Sequence, residues 1–207
     1  MENGAFDPRD NNLGSSSDDE VKETSLSQIV EAILFSSQQS LTVPQIKKIT
    51  GIKEGGTIPS IITELNEFYT KHNRAFSIHK VAGGYQLRTN TNFQKWIRKG
   101  RILKPIQLSP AVMETLAIVS YQQPVTRAEI EDIRTVDATY ALRSLLDKKL
   151  IKITGRKEVA GRPILYGTTK YFLEVFGFDS LDDLPRPEDF DIMSKEEIES
   201  VVIETKD

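Results

Sequence analysis

At 207 residues with a 38% hydrophobic share, the chain can hold one medium domain or two small ones with compact cores. It has no cysteine, no run of the roughly 20 apolar residues that cross a bilayer, and no signal-peptide core in 1–20, so disulfides and thiolate metal sites are excluded and a cytoplasmic protein is expected. The net charge of -3 is uneven, with 2 basic and 7 acidic side chains in 1–25, 12 and 4 in 26–107, 10 and 9 in 108–179, and 3 and 10 in 180–207. Along the chain, residues 1–24 carry only Phe6, Leu13 and Val21 as larger apolar groups, too few to offset the entropy of ordering, and read as a disordered acidic extension.

Order is expected from Ser25, which with Gln28 has capping-box spacing ahead of Leu26, Ile29, Val30, Ile33 and Leu34 at helical intervals, a helix over 26–37. Thr42 caps a short helix with Pro44 in its first turn, Gln45 three residues on, Ile46 and Ile49 facing inward, and Gly51 to stop it. A third helix follows Gly55-Gly56 and places Ile58, Ile61, Ile62, Leu65, Phe68 and Tyr69 along its inner stripe. The period then changes to two at Phe76, Ile78 and Lys80, and again at Tyr85 and Leu87, with Gly83-Gly84 between, which predicts a β-hairpin. Residues 93–103, with Phe93, Trp96 and Ile97 on one side, read as a connecting helix that Lys104-Pro105 ends.

The programme repeats. Ser109 and Pro110 open a helix with an inner stripe of Val112, Met113, Leu116, Ala117 and Val119, and Thr126 with Glu129 forms a second capping box ahead of Ile130 and Ile133. Asp137 caps a third helix that buries Ala138, Ala141, Leu142, Leu145 and Leu146. Leu150, Ile151 and Ile153 open a strand, Ile164, Leu165 and Tyr166 return it, and a last helix over 169–176 packs Phe172, Leu173 and Phe176. The halves align in order: Leu41-Thr42 with Val125-Thr126, Ile61-Ile62 with Ala141-Leu142, and Val81-Ala82-Gly83 with the identical Val159-Ala160-Gly161.

Helix, short helix, longer helix and hairpin is the order of a winged helix-turn-helix. The fold class expected is α+β, mainly helical, with two tandem winged-helix domains over 25–104 and 105–180 and an acidic, disordered C-terminal tail over 181–207. Within that tail, 198–203 is a weak candidate for a helix.

No polar constellation with diagnostic spacing marks an enzyme, and no cofactor or metal is expected. The glycine pairs fit no phosphate loop, and His72 and His79 lack the spacing and the partners of metal ligands. As a groove reader, the third helix would present Thr63, Glu64, Asn66 and Glu67 in the first half, where the carboxylates repel phosphate. In the second half it would present Thr139, Arg143, Asp147 and Lys148, of mixed sign. Sequence-specific recognition is disfavoured. Two basic clusters, Lys95/Arg98/Lys99/Arg101/Lys104 and Lys148/Lys149/Lys152/Arg156/Lys157/Arg162, either line solvated surfaces or touch phosphates without reading sequence. Lys95, Arg98, Lys99, Arg101, Lys148, Lys149, Lys152 and Arg156 are the candidate non-specific DNA contacts. The acidic ends would then compete for the same surface.

Residues 162–169, Arg-Pro-Ile-Leu-Tyr-Gly-Thr-Thr, continue through Phe172-Leu173, Phe176-Gly177-Phe178 and Leu184-Pro185 in a pattern that resembles the C-terminal signature of the bacterial segregation and condensation protein B (ScpB) family. Leu108 to Asp137, especially Glu114-Thr115-Leu116-Ala117-Ile118 and Tyr121-Gln122-Gln123-Pro124-Val125-Thr126-Arg127, resembles the opening of that family's second module. With a weaker match over 29–35, the likeness covers about 26–187.

The resemblance implies two winged-helix domains in a non-enzymatic subunit of the SMC–kleisin complex, serving chromosome condensation and partition before cell division. The expected partners are a second copy through the first domain, the kleisin ScpA mainly through the second, and the SMC ATPase indirectly through ScpA. The expected location is the cytoplasm, at the nucleoid. The candidate kleisin surface in the second domain is Arg143, Arg162, Pro163, Tyr166 and Phe172. A winged-helix DNA-binding transcriptional regulator is the alternative.

Overall fold

The computed structural model describes residues 25–51, 57–100 and 106–186, a mixture of helices and short strands. The expected acidic extension over 1–24 and the weak helix at 198–203 lie outside the described residues. The first half runs α1 (Leu26–Ser36), α2 (Val43–Thr50), α3 (Thr57–Lys71), β1 (Phe76–Val81), β2 (Gly84–Thr89) and, after a 3-10 turn, the short α4 (Gln94–Lys99). The second runs α5 (Pro110–Gln122), β3 (Val125–Thr126), α6 (Arg127–Arg134), α7 (Thr139–Asp147), β4 (Ile151–Arg156), β5 (Ile164–Thr168) and α8 (Lys170–Phe176).

The helix starts follow from side chains that satisfy the otherwise unpaired amides of the first turn. At α1 the Gln28 N–H donates to Ser25 Oγ at 3.3 Å while Gln28 Oε1 accepts from the Ser25 amide at 3.0 Å. Thr126 and Glu129 make the same exchange at α6, at 3.3 and 2.8 Å. At α7 the helix begins at Thr139, two residues beyond Asp137, yet the Asp137 carboxylate still accepts from the Thr139 amide at 3.0 Å.

Two separate apolar cores result. Val30, Leu34, Ile46, Ile58, Ile62, Leu65 and Tyr69 close the first, and Leu116, Val119, Ile130, Leu142, Leu145, Leu150 and Phe172 are central to the second. Several expected core positions lie outside. Ile49 is 58% exposed and Phe68 47%, because the two-turn α2 reaches the core through Ile46, with Val43 packed at its edge, and Phe68 flanks the α3 stripe that ends in Tyr69. Ile133 and Met113 are exposed too, as is Ala117. The inner face of α5 takes Thr115 and Ser120 instead, whose hydroxyls donate to the carbonyls of Ala111 and Ala117 and so enter the core already bonded. Asn66, placed by periodicity on the outer face of α3, clamps β1: its amide donates to the Ile78 carbonyl at 2.9 Å and accepts from the Ile78 N–H at 2.8 Å.

The sheets are related but unequal. β1 and β2 pair antiparallel through a two-residue turn, Ala82-Gly83, at φ +52° and +71°, the mirror-image turn that matches strand twist. A single bridge, Leu41 to Tyr85, joins the α1–α2 loop to β2. Its counterpart in the second half is a full strand, β3, with Val125 opposite Tyr166 in the order β3-β5-β4. The shared Val-Ala-Gly word does not mark equivalent turns. In the second half it falls inside the longer 157–163 loop, where the positive φ values are at Gly161 and Arg162.

The halves also touch. Glu174 of α8, 8% exposed, accepts through Oε1 from the Ser40 N–H at 3.0 Å and the Ser40 hydroxyl at 2.7 Å. Lys170 donates to the Ser40 carbonyl at 2.8 Å, and Arg88 of β2 donates to the Glu174 carbonyl. Beyond α8 the chain crosses the β1–β2 turn, where the Ala82 and Gly83 amides donate to the carbonyls of Phe178 and Asp179 at 2.9 and 3.0 Å. Lys80 pairs with Asp179 at 2.7 Å and holds that carboxyl below its ordinary range. The stretch expected to begin a disordered tail at 181 instead forms a 3-10 turn, Leu181–Asp183, capped by Ser180.

Candidate partner-binding surfaces

The five residues expected to face a kleisin divide by position. Phe172 is 3% exposed and packs in the second core at 4.9 Å ring-centroid distance from Phe176, so it supports the surface from within and cannot be a contact. Tyr166 is half-buried in the central strand β5, between Val125 and Ile153. Arg162 is exposed in the β4–β5 loop, its carbonyl accepting from Arg156 Nη1 at 3.0 Å, and Pro163 beside it accepts from the Lys157 amide at 2.9 Å. Arg143 is exposed on α7, away from that loop in sequence and in secondary structure.

The basic candidates do not form a single stripe. Lys95, Arg98 and Lys99 are exposed on α4, and Arg101 lies outside the described residues. On β4, Lys152 pairs with Gly167 and Arg156 with Ile164, and the register shifts between Ile153 and Gly155. Side chains alternate faces along a strand, so Gly167 and Ile164 lie on opposite faces of β5. The extra residue Thr154 therefore puts Arg156 on the Ile151–Ile153–Tyr166 face and leaves Lys152 on the other. Lys148 is half-buried beyond the end of α7, and Lys149, exposed at φ +57°, gives its carbonyl to the Thr169 hydroxyl at 2.6 Å.

Lys157 is already engaged by Glu129, which ties the β4–β5 loop to α6. That bond, followed by those from the Thr126 amide and hydroxyl, takes the Glu129 carboxyl from its ordinary 4.5 down to about 2. A folded-state value below the unfolded one gives a stabilisation that is full above about 4.5 and lost as pH falls toward 2. Both side chains are partly exposed, so the contribution is small. A carboxyl NMR titration is expected to find the Glu129 midpoint near 2 and to find it raised in Lys157→Met. An unmoved midpoint in the variant would refute the Lys157 assignment.

Large apolar side chains stand outside both cores. On α1 and α3 these include Phe35, 77% exposed, together with Ile29 and Phe68. At the α6–α7 corner Ile133, Val136 and Tyr140, the last 77% exposed, lie close in sequence. Sequence periodicity places three of these, Ile29, Phe68 and Ile133, on the apolar stripes of their helices. The polar residues that join the halves, Ser40, Arg88, Glu174 and Asp179, were not marked by any local pattern. Among the described residues no group of three or more His, Asp or Glu is placed to hold a metal ion, and no helix is long and apolar enough to cross a membrane.

The family model described as "Segregation and condensation complex subunit ScpB" matches residues 28–187. The segregation and condensation protein B of Syntrophotalea carbinolica is 42% identical over 171 residues, covering 83% of this chain and 86% of that one. The protein of the same name from Alkaliphilus oremlandii is 41% identical over 180 residues, covering 84% and 91%. The crystal structure of ScpB from Mycobacterium tuberculosis superposes with a TM-score of 0.34 at 26% identity, over 73% of this chain and 94% of that one. A score that low establishes no common overall arrangement. The sequence matches are long, specific and cover nearly all of the described chain.

Proposed function

The chain belongs to the family of segregation and condensation complex subunits ScpB, and from that premise we propose that it is a non-enzymatic scaffold of the SMC–kleisin complex. It dimerises and holds the kleisin ScpA, and so serves chromosome condensation and segregation during cell division. In this reading each half is a winged-helix domain, the first over 25–104 and the second over 105–180, working in the cytoplasm at the nucleoid.

The observation that carries the reading is the set of large apolar groups left outside two well-filled cores. A small domain with its core closed gains nothing from keeping Phe35 and Tyr140 in water, whereas a partner surface uses such groups as anchors. The α1 and α3 group, with Ile29, Phe35 and Phe68, suits a two-fold contact in which the same patch serves both copies. The second half, with Arg143, Arg162 and Pro163 accessible, takes ScpA, and SMC is reached only through it. Non-specific DNA contact falls to the separate basic residues of α4 and β4, which offer phosphate partners without a base-reading array.

The test is mass measurement by light scattering on the chain alone and with ScpA from the same organism. A dimer that co-elutes with ScpA is expected. A monomer that does not retain ScpA would overturn the proposal, and salt-sensitive binding that prefers one duplex sequence would favour the transcriptional regulator instead.

A further inference from the structure

We propose that Glu174 is a positioning residue: with Ser40 it forms the buried centre of a polar latch that holds the two halves in one mutual orientation. A partner bridging both halves then meets one composite surface. This step rests on the reading that the second half takes ScpA and adds to it that ScpA also reaches the first half; the latch itself rests on neither.

Every polar group of Ser40 is taken by α8. Its amide and hydroxyl go to Glu174 Oε1, and its carbonyl goes to Lys170 one turn earlier. Ser40 is 1% exposed and Glu174 8%, although 134 residues separate them. A carboxylate removed from water is costly unless its oxygens are bonded, so two donors from one residue, with Lys170 3.8 Å away, explain how Glu174 tolerates its site. Arg88 adds a second link from β2, donating to the Glu174 main-chain carbonyl in the last turn of α8, where carbonyls lack helical partners.

A third link lies at the β1–β2 turn. Its geometry points the Ala82 and Gly83 amides outward, and the chain leaving α8 supplies the acceptors: the Phe178 carbonyl for Ala82, the Asp179 carbonyl and Oδ1 for Gly83. Phe178 sits with its ring against the second core while its backbone meets the first half, so the strap is anchored on one side and reads the turn on the other.

The latch contacts described above are hydrogen bonds and ion pairs. Polar contacts between domains can separate and rehydrate, so the single orientation lasts only while these bonds are made. The exposed pair Lys80–Asp179 adds little by itself. The buried pair decides, because replacing Glu174 by an apolar residue leaves the Ser40 amide and hydroxyl without partners.

The absence of native cysteine permits a direct test. Spin labels at Glu64→Cys on α3 and Asp147→Cys on α7, both exposed, report the distance between halves. Labelled chains are diluted into excess unlabelled chain so that distances between protomers do not register. The parent is expected to give one narrow distribution, Glu174→Leu one broadened about twofold or more, and Glu174→Gln, which keeps the acceptor oxygen, one close to the parent. If Glu174→Leu loses its cooperative melt, the double change Arg88→Met with Lys170→Met, which removes the donors to the Glu174 and Ser40 carbonyls and leaves Glu174 in place, replaces it, with broadening again expected.

A broad distribution in the parent, or parent-like width in the variant that folds, would overturn the latch. Affinity for ScpA is measured alongside and is expected to fall roughly tenfold when the latch opens, because the competent orientation becomes a minor one. An open latch with unchanged ScpA affinity would overturn the positioning role. Failure of the parent to bind ScpA would remove the functional reading and leave the distance result standing.

Discussion

Ile62→Asp is expected to abolish the folded first half. Ile62 is 5% exposed on α3, within a core that includes Val30, Leu34, Ile46 and Tyr69. An aspartate there has no cationic partner in the apolar cluster that surrounds it, so it must either stay charged without a bond or take up a proton and still lose its water. Either course adds to the lost apolar burial, and a cost on the order of 4 kcal/mol or more is a large part of a small domain's stability. In circular dichroism the variant should lose the signal of α1 to α3 while the second half, which closes its own core, retains its melt. The dimer should disappear together with the fold. A variant that kept its helical signal and melted normally, yet ran as a monomer, would place Ile62 at the interface between copies and refute its place in the core.

Gly84→Ala is expected to destabilise the first half by about 1–3 kcal/mol through crowding. A methyl at this position would lie 2.6 Å from the Leu41 carbonyl oxygen, 2.7 Å from its carbon and 3.0 Å from the Thr42 nitrogen, all backbone atoms that no rotamer change can move aside. The reason for the close approach is the Leu41–Tyr85 bridge, with hydrogen bonds of 2.9 and 2.8 Å in the two directions. Opening it also displaces Ser40, next in the chain, from Glu174. Thermal denaturation should show the first half melting some 4–8 °C lower for each 1 kcal/mol lost. The same variant should broaden the distance between halves. An unchanged melting temperature would mean that the loop and β2 do not approach as described.

How much of this was legible in the sequence follows from how local each cause is. The capping boxes at Ser25/Gln28 and Thr126/Glu129 act over three residues and are legible from the residues alone, as are the Gly51 stop and the Thr169 start of α8. The pairing of Leu41-Thr42 with Val125-Thr126 found its structural counterpart in the bridge to Tyr85 and the strand beside Tyr166. Periodicity gave the stripes but not their edges. It cannot tell that α5 buries Thr115 in preference to Met113, because the choice depends on how α7 and β5 pack against that helix.

Periodicity places Asn66 outward for the same reason, its bond partner Ile78 lying on another element. The candidate site suffered most. The strand bulge that parts Lys152 from Arg156 and the burial of Phe172 are tertiary facts, and contacts between Ser40 and Glu174, Arg88 and Glu174, or Ala82 and Phe178 join residues 86 to 134 positions apart with no intervening pattern.

The bulge at Thr154 has a further consequence for survival in a crowded cell. Among the described residues β4 is an edge strand of its sheet, and such a border offers free amides and carbonyls to any extended peptide that drifts against it. The irregularity between Ile153 and Gly155 breaks the regular spacing of those groups, and Lys152 and Arg156 would bring charge into any accidental pairing. The exposed Ile153, which on a flat edge would invite fibrous growth, stands beside that interruption. A chain with large apolar side chains already exposed on its helices thus keeps this sheet border unattractive to stray strands.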